Sequence, residues 1–359
     1  MRVEKAIEII EQVAPPAFAE PWDQVGLHVG SGRWPMRHAM LCIDVTEAVT
    51  AEAIEQKVDL LIAYHPVLFK PIARLTDDDW KTRCLLDLVR KRVAVYCPHT
   101  ALDAAPGGVN DFLAEAIGDG NVRPIKPVEP RGDSCKIVVF TPSDHTDKIA
   151  AAMSEAGAGQ IGDYSNCSFR LLGQGTFQGG EESDPFVGEA GQLEHVEEHR
   201  VEMVCPKAKL EAVLAALRQA HTYEEPAFDV YPLEPVAGDP NAGQGRVIEL
   251  ERPILLSTVA SRIRNHLGLT KVKVARAPGA KKVQRIGLCA GAGGSLLEQA
   301  GDIDVFITGE MRYHDVLNAT HHGTSIILAG HTETERPYLS VLQKRLKKMM
   351  DDSVKVTIA

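Results

Sequence analysis

The chain has 359 residues, 44% of them hydrophobic, and a formal net charge of -10 at pH 7. This length exceeds what one hydrophobic core usually supports, so we expect more than one folded unit. The acidic balance disfavours a nucleic-acid partner, because the phosphate backbone attracts proteins with basic surfaces.

Cysteine usage and hydropathy indicate the cellular compartment. The seven cysteines are spread along the chain without a close Cys–Cys spacing, which predicts reduced thiols rather than disulfides or a clustered zinc site. The first residues place charges among apolar positions at helical spacing, unlike a signal peptide. No stretch reaches the ~18 uninterrupted apolar residues that a membrane span requires. We therefore expect a cytoplasmic protein without a membrane segment.

The two ends of the chain predict alternating helices and apolar strands. In the first part these are a helix over 3–13, a strand over 39–45, a helix over 47–56, a strand over 60–63, a helix over 80–91 and a strand over 93–96. In the last part apolar strands are predicted over 285–289, 304–308 and 325–329. Helices alternating with fully apolar strands are typical of parallel βαβ units covered on both faces. The predicted fold class is α/β, with a two-part core of mostly parallel sheets.

The middle of the chain predicts an inserted α+β domain. Its predicted elements are a strand over 136–140, a helix over 145–156, strands near 169–177 and 201–204, a helix over 207–221 and a strand over 227–231. This β-α-β-β-α-β order is ferredoxin-like. Pro- and Gly-rich segments over 124–130 and 235–245 predict linkers. The predicted domains are therefore 1–126, 127–235 and 236–359, and the charged runs 181–182 and 194–200 predict solvated loop or edge segments.

Four polar side chains follow predicted strands and are candidate metal ligands: His65, Asp103, His331 and Glu335. In open α/β sheets, ligands bind beyond the carboxyl ends of the strands, so these side chains are expected to meet. His331 and Glu335 are four residues apart and would share one face of a helix. Mixed nitrogen and oxygen ligands suit zinc, iron or manganese, and a metal would acidify a bound water into a nucleophile. Taken singly, a histidine or acid at a strand end is more often a cap or a turn residue, so the prediction depends on the four together.

Other polar residues near strand ends allow two interpretations each. Glu310 and His314 are also four apart, and they either transfer protons near the metal and orient its ligands or form an ordinary polar helix start. The pair His321 and His322 is better explained as a surface helix end. The glycine-rich segment 291–295 resembles a phosphate-binding loop, but it lacks the lysine of a nucleotide-binding motif.

Several motifs together resemble the Nif-three-like family, whose members are often named GTP cyclohydrolase 1 type 2. They are DQVGLHVG at 23–30, YHP at 64–66, HTALD at 99–103, TGEMRYH at 308–314 and GHTETE at 330–335. The middle segments IGDYSNC at 161–167 and HTYEEP at 221–226 are similar to the CutA-like insert of longer bacterial members. The resemblance therefore covers both halves of the core and the insert.

The resemblance implies a homohexameric toroid with a dinuclear metal site at its inner wall, and one or two divalent metal ions are expected in each subunit. The ligand positions carried over from the family are His65, Asp103, His331 and Glu335. The family usually has a second histidine where this chain has Tyr64, and a phenol with a pKa near ~10 is a poorer ligand at neutral pH. Three alternatives remain: a site with one ion, a site with Tyr64 as a ligand, and a site in which His99 takes the place of the missing histidine.

The resemblance also implies an activity. The expected function is a metal-dependent hydrolase that attacks GTP or a related heterocycle through metal-bound hydroxide, with Glu310 or His314 moving protons. The partner would then be a small molecule, such as a nucleotide. The alternative is a non-catalytic metal-binding or regulatory protein with a ligand-sensing insert. A DNA-binding toroid is disfavoured by the negative charge.

Overall fold

The computed structural model describes residues 1–129, 134–162, 164–183, 185–234 and 239–359. The chain forms two compact units, one of Met1–Val128 with Gly238–Ala359 and the other of Glu129–Ala237. The sequence analysis placed the insert at 127–235.

Helices and strands alternate along the chain. The helices are α1 (Val3–Val13), α2 (Glu47–Glu55), α3 (Trp80–Arg90), α4 (His99–Ala104), α5 (Val109–Glu115), α6 (Thr146–Glu155), α7 (Leu210–Ala220), α8 (Leu256–His266), α9 (Tyr313–His321), α10 (His331–Glu335) and α11 (Tyr338–Met349). The strands are β1 (Gly26–Val29), β2 (His38–Cys42), β3 (Leu60–Ala63), β4 (Ala94–Cys97), β5 (Gly120–Pro127), β6 (Ser134–Pro142), β7 (Phe169–Gln178), β8 (Leu193–Pro206), β9 (Phe228–Pro232), β10 (Gly243–Leu255), β11 (Lys273–Ala275), β12 (Lys282–Cys289), β13 (Val305–Thr308), β14 (Ser325–Leu328) and β15 (Lys355–Ile358). Within the described ranges, no helix combines the length and apolar character needed to cross a membrane.

The first sheet of the larger unit has the strand order β1-β4-β3-β2-β15. Strands β2, β3 and β4 are buried along their whole length and pair in parallel, with Leu61 beside Met40 on one side and Val95 on the other. Such continuous apolar runs suit strands that are covered on both faces. Helix α1 supplies part of the cover, since Ile10 is buried in the same core cluster as Leu288 of the second sheet. Both sheets of this unit therefore share one core.

The second sheet of the larger unit has the order β11-β14-β13-β12-β10-β5. Its centre, β12-β13-β14, is parallel, whereas β10 runs antiparallel to both β5 and β12, and β11 runs antiparallel to β14. The prediction of mostly parallel sheets is therefore wrong for this sheet. The reason is that β5 and β10 flank the insert, so the chain leaves on one strand and returns on its neighbour in the opposite direction.

The predicted linkers at 124–130 and 235–245 are largely strand where they are described. Pro124 lies in β5 and pairs with Arg246 of β10. The backbone N–H of Val128 donates to the carbonyl oxygen of Ala242 at 3.0 Å, so the two connections of the insert start side by side. Residue 130 and residues 235–238 of the predicted linkers lie outside the described residues.

The smaller unit contains β6, α6, β7, β8, α7 and β9, in the predicted β-α-β-β-α-β order. Its antiparallel sheet has the strand order β7-β8-β6-β9. Ile137 and Val201 from the sheet are buried against Ile149 of α6 and Leu217 of α7. The sheet thus has one face covered by two helices, which accounts for its alternating apolar and polar residues.

One prediction for the smaller unit is wrong in part. The charged run 194–200 lies in β8, where residues 194–197 pair with β7 alone and form the predicted edge segment, whereas residues 198–200 also pair with β6 and lie inside the sheet. Glu198 is only 9% exposed. Glu198 and Arg200 share one face of β8 with Val196, and the charge density concealed this strand pattern. Glu181 and Glu182 lie in an exposed turn, as predicted.

Candidate metal centre

The candidate centre combines side chains from the strand ends of both sheets. His65 follows β3, and its backbone N–H donates to the carbonyl oxygen of Ile43 at 3.0 Å. His331 begins α10 shortly after β14, and Glu335 ends the same helix. The carboxyl ends of parallel strands thus deliver these side chains from two distant parts of the chain, as the sequence analysis expected.

Three of the four predicted ligands meet. One ligand atom from each of His65, His331 and Glu335 lies within 4.8 Å of the others. The Glu335 carboxylate lies between the two imidazoles, with Oε1 at 3.2 Å from His331 Nε2 and Oε2 at 3.4 Å from His65 Nε2. The ring centroids of the two histidines are 5.4 Å apart. Two nitrogens and a carboxylate therefore converge on one small volume.

Each of these imidazoles is held from behind by a second carboxylate. His65 Nδ1 lies 3.0 Å from Asp44 Oδ1, and His331 Nδ1 lies 3.0 Å from Glu310 Oε1. A carboxylate that accepts the Nδ1 proton leaves the Nε2 lone pair of a neutral imidazole directed towards the centre. The sequence analysis did not single out Asp44, although it follows β2 directly and fits the same strand-end rule.

The donor set fits a cation. The Glu335 side chain is 4% exposed, and its Oε2 atom makes no hydrogen bond within the described residues. A buried carboxylate oxygen without a donor is costly unless a cation or water satisfies it. Gly291 makes room for this group, since it has φ +60° and a Cβ there would lie 2.5 Å from Glu335 Oε1. The glycine-rich segment thus permits close approach to the acid, a role different from the phosphate loop that its sequence resembles.

The electrostatics of the cluster favour positive charge. Burial opposes ionisation of His65, but the neighbouring carboxylates of Asp44 and Glu335 outweigh it and raise the pKa of His65 to about 10. The hydrogen bond to Glu335 outweighs burial at His331 and raises its pKa to about 9. Burial would raise the pKa of Glu335, yet the two histidines lower it. The carboxylates therefore create a field that suits a cation at this position.

Asp103, the fourth predicted ligand, is engaged elsewhere. The hydroxyl of Tyr64, which is 2% exposed, donates to Asp103 Oδ1. Burial raises the pKa of Asp103 to about 6 against the opposing influence of His99 and Tyr64. Burial and the nearby Asp103 charge raise the pKa of Tyr64 well above its ordinary value, so the phenol keeps its proton. Tyr64 is therefore a hydrogen-bond donor to Asp103 here, and it does not offer an anionic oxygen.

His99, the other candidate beside the cluster, is oriented by Asp23. Its Nδ1 lies 2.8 Å from Asp23 Oδ1, and Asp23 also accepts the Thr100 backbone N–H at 3.1 Å. Burial would raise the pKa of Asp23, but these hydrogen bonds lower it. The ring centroids of His99 and His65 are 5.6 Å apart. Asp23 is thus a positioning residue that the DQVGLHVG segment contributes to the centre.

The two predicted proton-transfer residues differ in placement. Glu310 contacts His331, and its side chain is 63% exposed. His314 lies on α9 and is exposed, and within the described residues its recorded contact is the adjacent ring of Tyr313, with centroids 5.4 Å apart. Glu310 therefore belongs to the centre, whereas His314 has no recorded contact with the three converging side chains.

The family model described as Duf34/NIF3 (NGG1p interacting factor 3) matches residues 1–359 of the chain. The chain belongs to the DUF34/NIF3 family. It is similar to the GTP cyclohydrolase 1 type 2 homolog of Bacillus subtilis (strain 168), with 34% identity covering 97% of this chain and 93% of the relative. It is also similar to NIF3-like protein 1 of Bos taurus, with 32% identity covering 100% of this chain and 90% of the relative.

A solved structure of the same family agrees with this assignment. The Bacillus cereus protein related to NIF3 aligns with a TM-score of 0.70 and 33% sequence identity, covering 100% of this chain and 96% of that chain. The DUF34/NIF3 resemblance deduced from the motifs is therefore confirmed.

Proposed function

We propose that this DUF34/NIF3 protein is a metal-dependent hydrolase that acts on a nucleotide or a related heterocycle. The observation that carries the proposal is the convergence of His65, His331 and Glu335, with ligand atoms within 4.8 Å of one another. The buried Glu335 Oε2 without a hydrogen-bond donor supports it. The printed name of the Bacillus subtilis relative, a GTP cyclohydrolase 1 type 2 homolog, is consistent with a nucleotide substrate.

The centre offers ligands for one metal ion and neighbouring groups for a second. His65, His331 and Glu335 would hold one divalent ion, and Asp103, Tyr64 and His99 are the neighbours from which a second site would have to be built. Zinc, iron and manganese all accept this mixture of imidazole and carboxylate. A bound metal would supply Lewis acidity, which polarises the substrate and makes water a better nucleophile.

The protein's own groups would orient the ligands and move protons. Asp44 and Glu310 fix the two imidazoles through Nδ1. Only Oε1 of Glu310 is occupied by His331, and the largely exposed carboxylate is placed to accept a proton from an approaching water. The role of His314 in proton transfer is a proposal that rests on its spacing from Glu310.

An aromatic surface beside the centre favours a planar substrate. The Trp22 ring lies 6.2 Å from the ring of His99 and 6.0 Å from that of Phe69. Trp22 and Phe69 are 56% and 47% exposed, which is unusual for residues of this size. Exposed aromatic rings next to a candidate catalytic centre are suited to stack on a heterocyclic base.

We further propose that the protein is a cytoplasmic homohexamer with a CutA-like insert. The β-α-β-β-α-β order of the smaller unit supports the CutA-like assignment. Light scattering coupled to gel filtration would measure the mass of the assembly, and a monomer or dimer at micromolar concentration would contradict the hexamer.

The proposed activity is tested by incubating untagged protein that retains its native metal with GTP and a panel of phosphorylated metabolites. Formate release and loss of the purine absorbance report opening of the imidazole ring. We expect product from the wild type and from His321→Ala, which changes an exposed histidine at the end of α9, and none from His331→Ala. Metal bound in stoichiometric amount without turnover of any substrate would instead favour the alternative, a metal-binding or regulatory protein.

A further inference from the structure

The smaller unit contains a cavity of about 380 Å³ that has no part in the candidate metal centre. It lies beside β7 and β8, and the segment that follows α7 contributes to its lining. Its volume falls within the range of small-molecule sites, roughly 300–1,000 Å³. Aromatic rings and carboxylates dominate its lining. The lining includes Phe140, Phe177, Phe186, Tyr223, Glu198 and Gly175.

The aromatic part of the wall is arranged around Tyr223. The ring centroid of Tyr223 lies 6.2 Å from that of Phe177 and 6.3 Å from that of Phe186, at interplanar angles of 56° and 50°. The face of an aromatic ring carries partial negative charge, so a group of such rings attracts a cation.

The polar part of the wall is the carboxylate of Glu198. This residue is 9% exposed, and the Tyr223 hydroxyl donates to its Oε1 atom at 2.9 Å. Oε2 has no recorded partner among the described residues. A Cβ at Gly175 would overlap Glu198 Oε2, so the glycine in β7 leaves this oxygen its space. A nearly buried carboxylate thus presents one oxygen without a donor to a cavity walled by aromatic rings.

No cationic side chain within the described part of the chain neutralises Glu198. The nearby His221 uses both ring nitrogens, with Nε2 at 2.9 Å from the Phe140 carbonyl oxygen and Nδ1 accepting the Tyr223 backbone N–H at 3.0 Å. This arrangement fits a neutral ring, and burial lowers the pKa of His221. Arg200, on the same face of β8, pairs instead with Glu202 at 3.0 Å.

We propose that this cavity binds a small organic ammonium ion. An N–H of the ammonium group donates to Glu198 Oε2, and its alkyl substituent packs between the rings of Phe177, Phe186 and Tyr223. A hard metal ion prefers a complete shell of oxygen ligands, whereas the three rings leave this part of the wall apolar. An anion is repelled by Glu198 and by Glu225, which also lines the cavity. Because no step involves the metal centre, the proposal is independent of the hydrolase activity.

The test is calorimetric titration of the full-length protein with butylammonium chloride, n-butanol and sodium butyrate at equal ionic strength. These probes share one alkyl chain and differ in charge. We expect the ammonium ion to bind at least tenfold more tightly than the alcohol and the carboxylate to show no binding. Glu198→Gln should weaken ammonium binding at least tenfold, whereas Glu197→Gln, an exposed neighbour on the other face of β8, should leave it unchanged.

A second pair of variants keeps the test decisive if Glu198→Gln fails to fold. Gly175→Ala should displace the carboxylate and Phe186→Ala should remove one ring, and each should weaken ammonium binding severalfold while the circular dichroism spectrum stays that of the wild type. Equal affinity for butanol, preferential binding of butyrate, unchanged affinity in all three cavity variants, or no heat with butylammonium up to tens of millimolar would each overturn the proposal.

Discussion

Replacing Glu335 by glutamine isolates the charge of the carboxylate at nearly constant shape. Glu335 lies between His65 Nε2 and His331 Nε2, at 3.4 and 3.2 Å, with a side chain 4% exposed. Removing one partner from a buried charge pair costs about 3 kcal/mol or more. Since each 1.4 kcal/mol is a factor of ten, the affinity of the centre for a divalent cation should fall about a hundredfold.

The assay is competition between metal-stripped protein and a chromogenic zinc chelator, which gives the dissociation constant directly. Glu333→Gln is the matched control, because it removes a carboxylate from the same short helix at an exposed position. We expect the control to bind zinc as the wild type does. A Glu335→Gln dissociation constant within threefold of that of Glu333→Gln would refute the assignment of Glu335 as a ligand.

Three further predictions concern stability. Joining Val128 to Ala242 through a short Gly-Ser linker should leave a folded larger unit, because these residues already share a hydrogen bond; insoluble product without cooperative unfolding would count against it. Arg246→Met leaves Asp111 without its buried partner and should lower the free energy of unfolding by about 3 kcal/mol in urea titrations, and a loss below 1 kcal/mol would contradict this. Burial lowers the pKa of His38 below its ordinary 6.5, so the neutral ring stabilises the fold above that pH and less so below it. The difference in melting temperature between the wild type and His38→Gln should therefore shrink as pH falls below 6.5, and a difference independent of pH would exclude this role.

The local sequence pattern was sufficient to predict the bounds of elements that form the buried core. Helix α1 and strand β3 have the predicted bounds, 3–13 and 60–63, because their apolar residues repeat at helical spacing or run without interruption. The last residues of β5 and the first residues of β10 were assigned to linkers because proline and glycine usually interrupt secondary structure. Pro124 is tolerated since β5 is the outermost strand of its sheet. Gly245 is needed because its φ is +60° and Ile125 packs closely against it.

The site was predictable to the extent that the strand-end rule applies. That rule selected His65, His331 and Glu335, which meet, and also Asp103, whose carboxylate is bonded to Tyr64. Pairings across the fold could not be derived from spacing. Asp44 and Asp23 act through histidines that are distant in sequence, and the bond between Tyr223 and Glu198 joins a loop to a strand that charge alone suggested was solvated.

The candidate ligands come from both sides of the insert, so the order of synthesis determines when the metal centre can form. His65 precedes the insert, whereas His331 and Glu335 follow it. A ribosome must therefore synthesise the whole insert before the centre is complete, and a product that stops before His331 lacks two of the three converging groups. An ion bound by His65, His331 and Glu335 would also cross-link segments on either side of the insert. Chains truncated before His331 would then neither retain the metal nor gain the stability that metal binding confers on the folded protein.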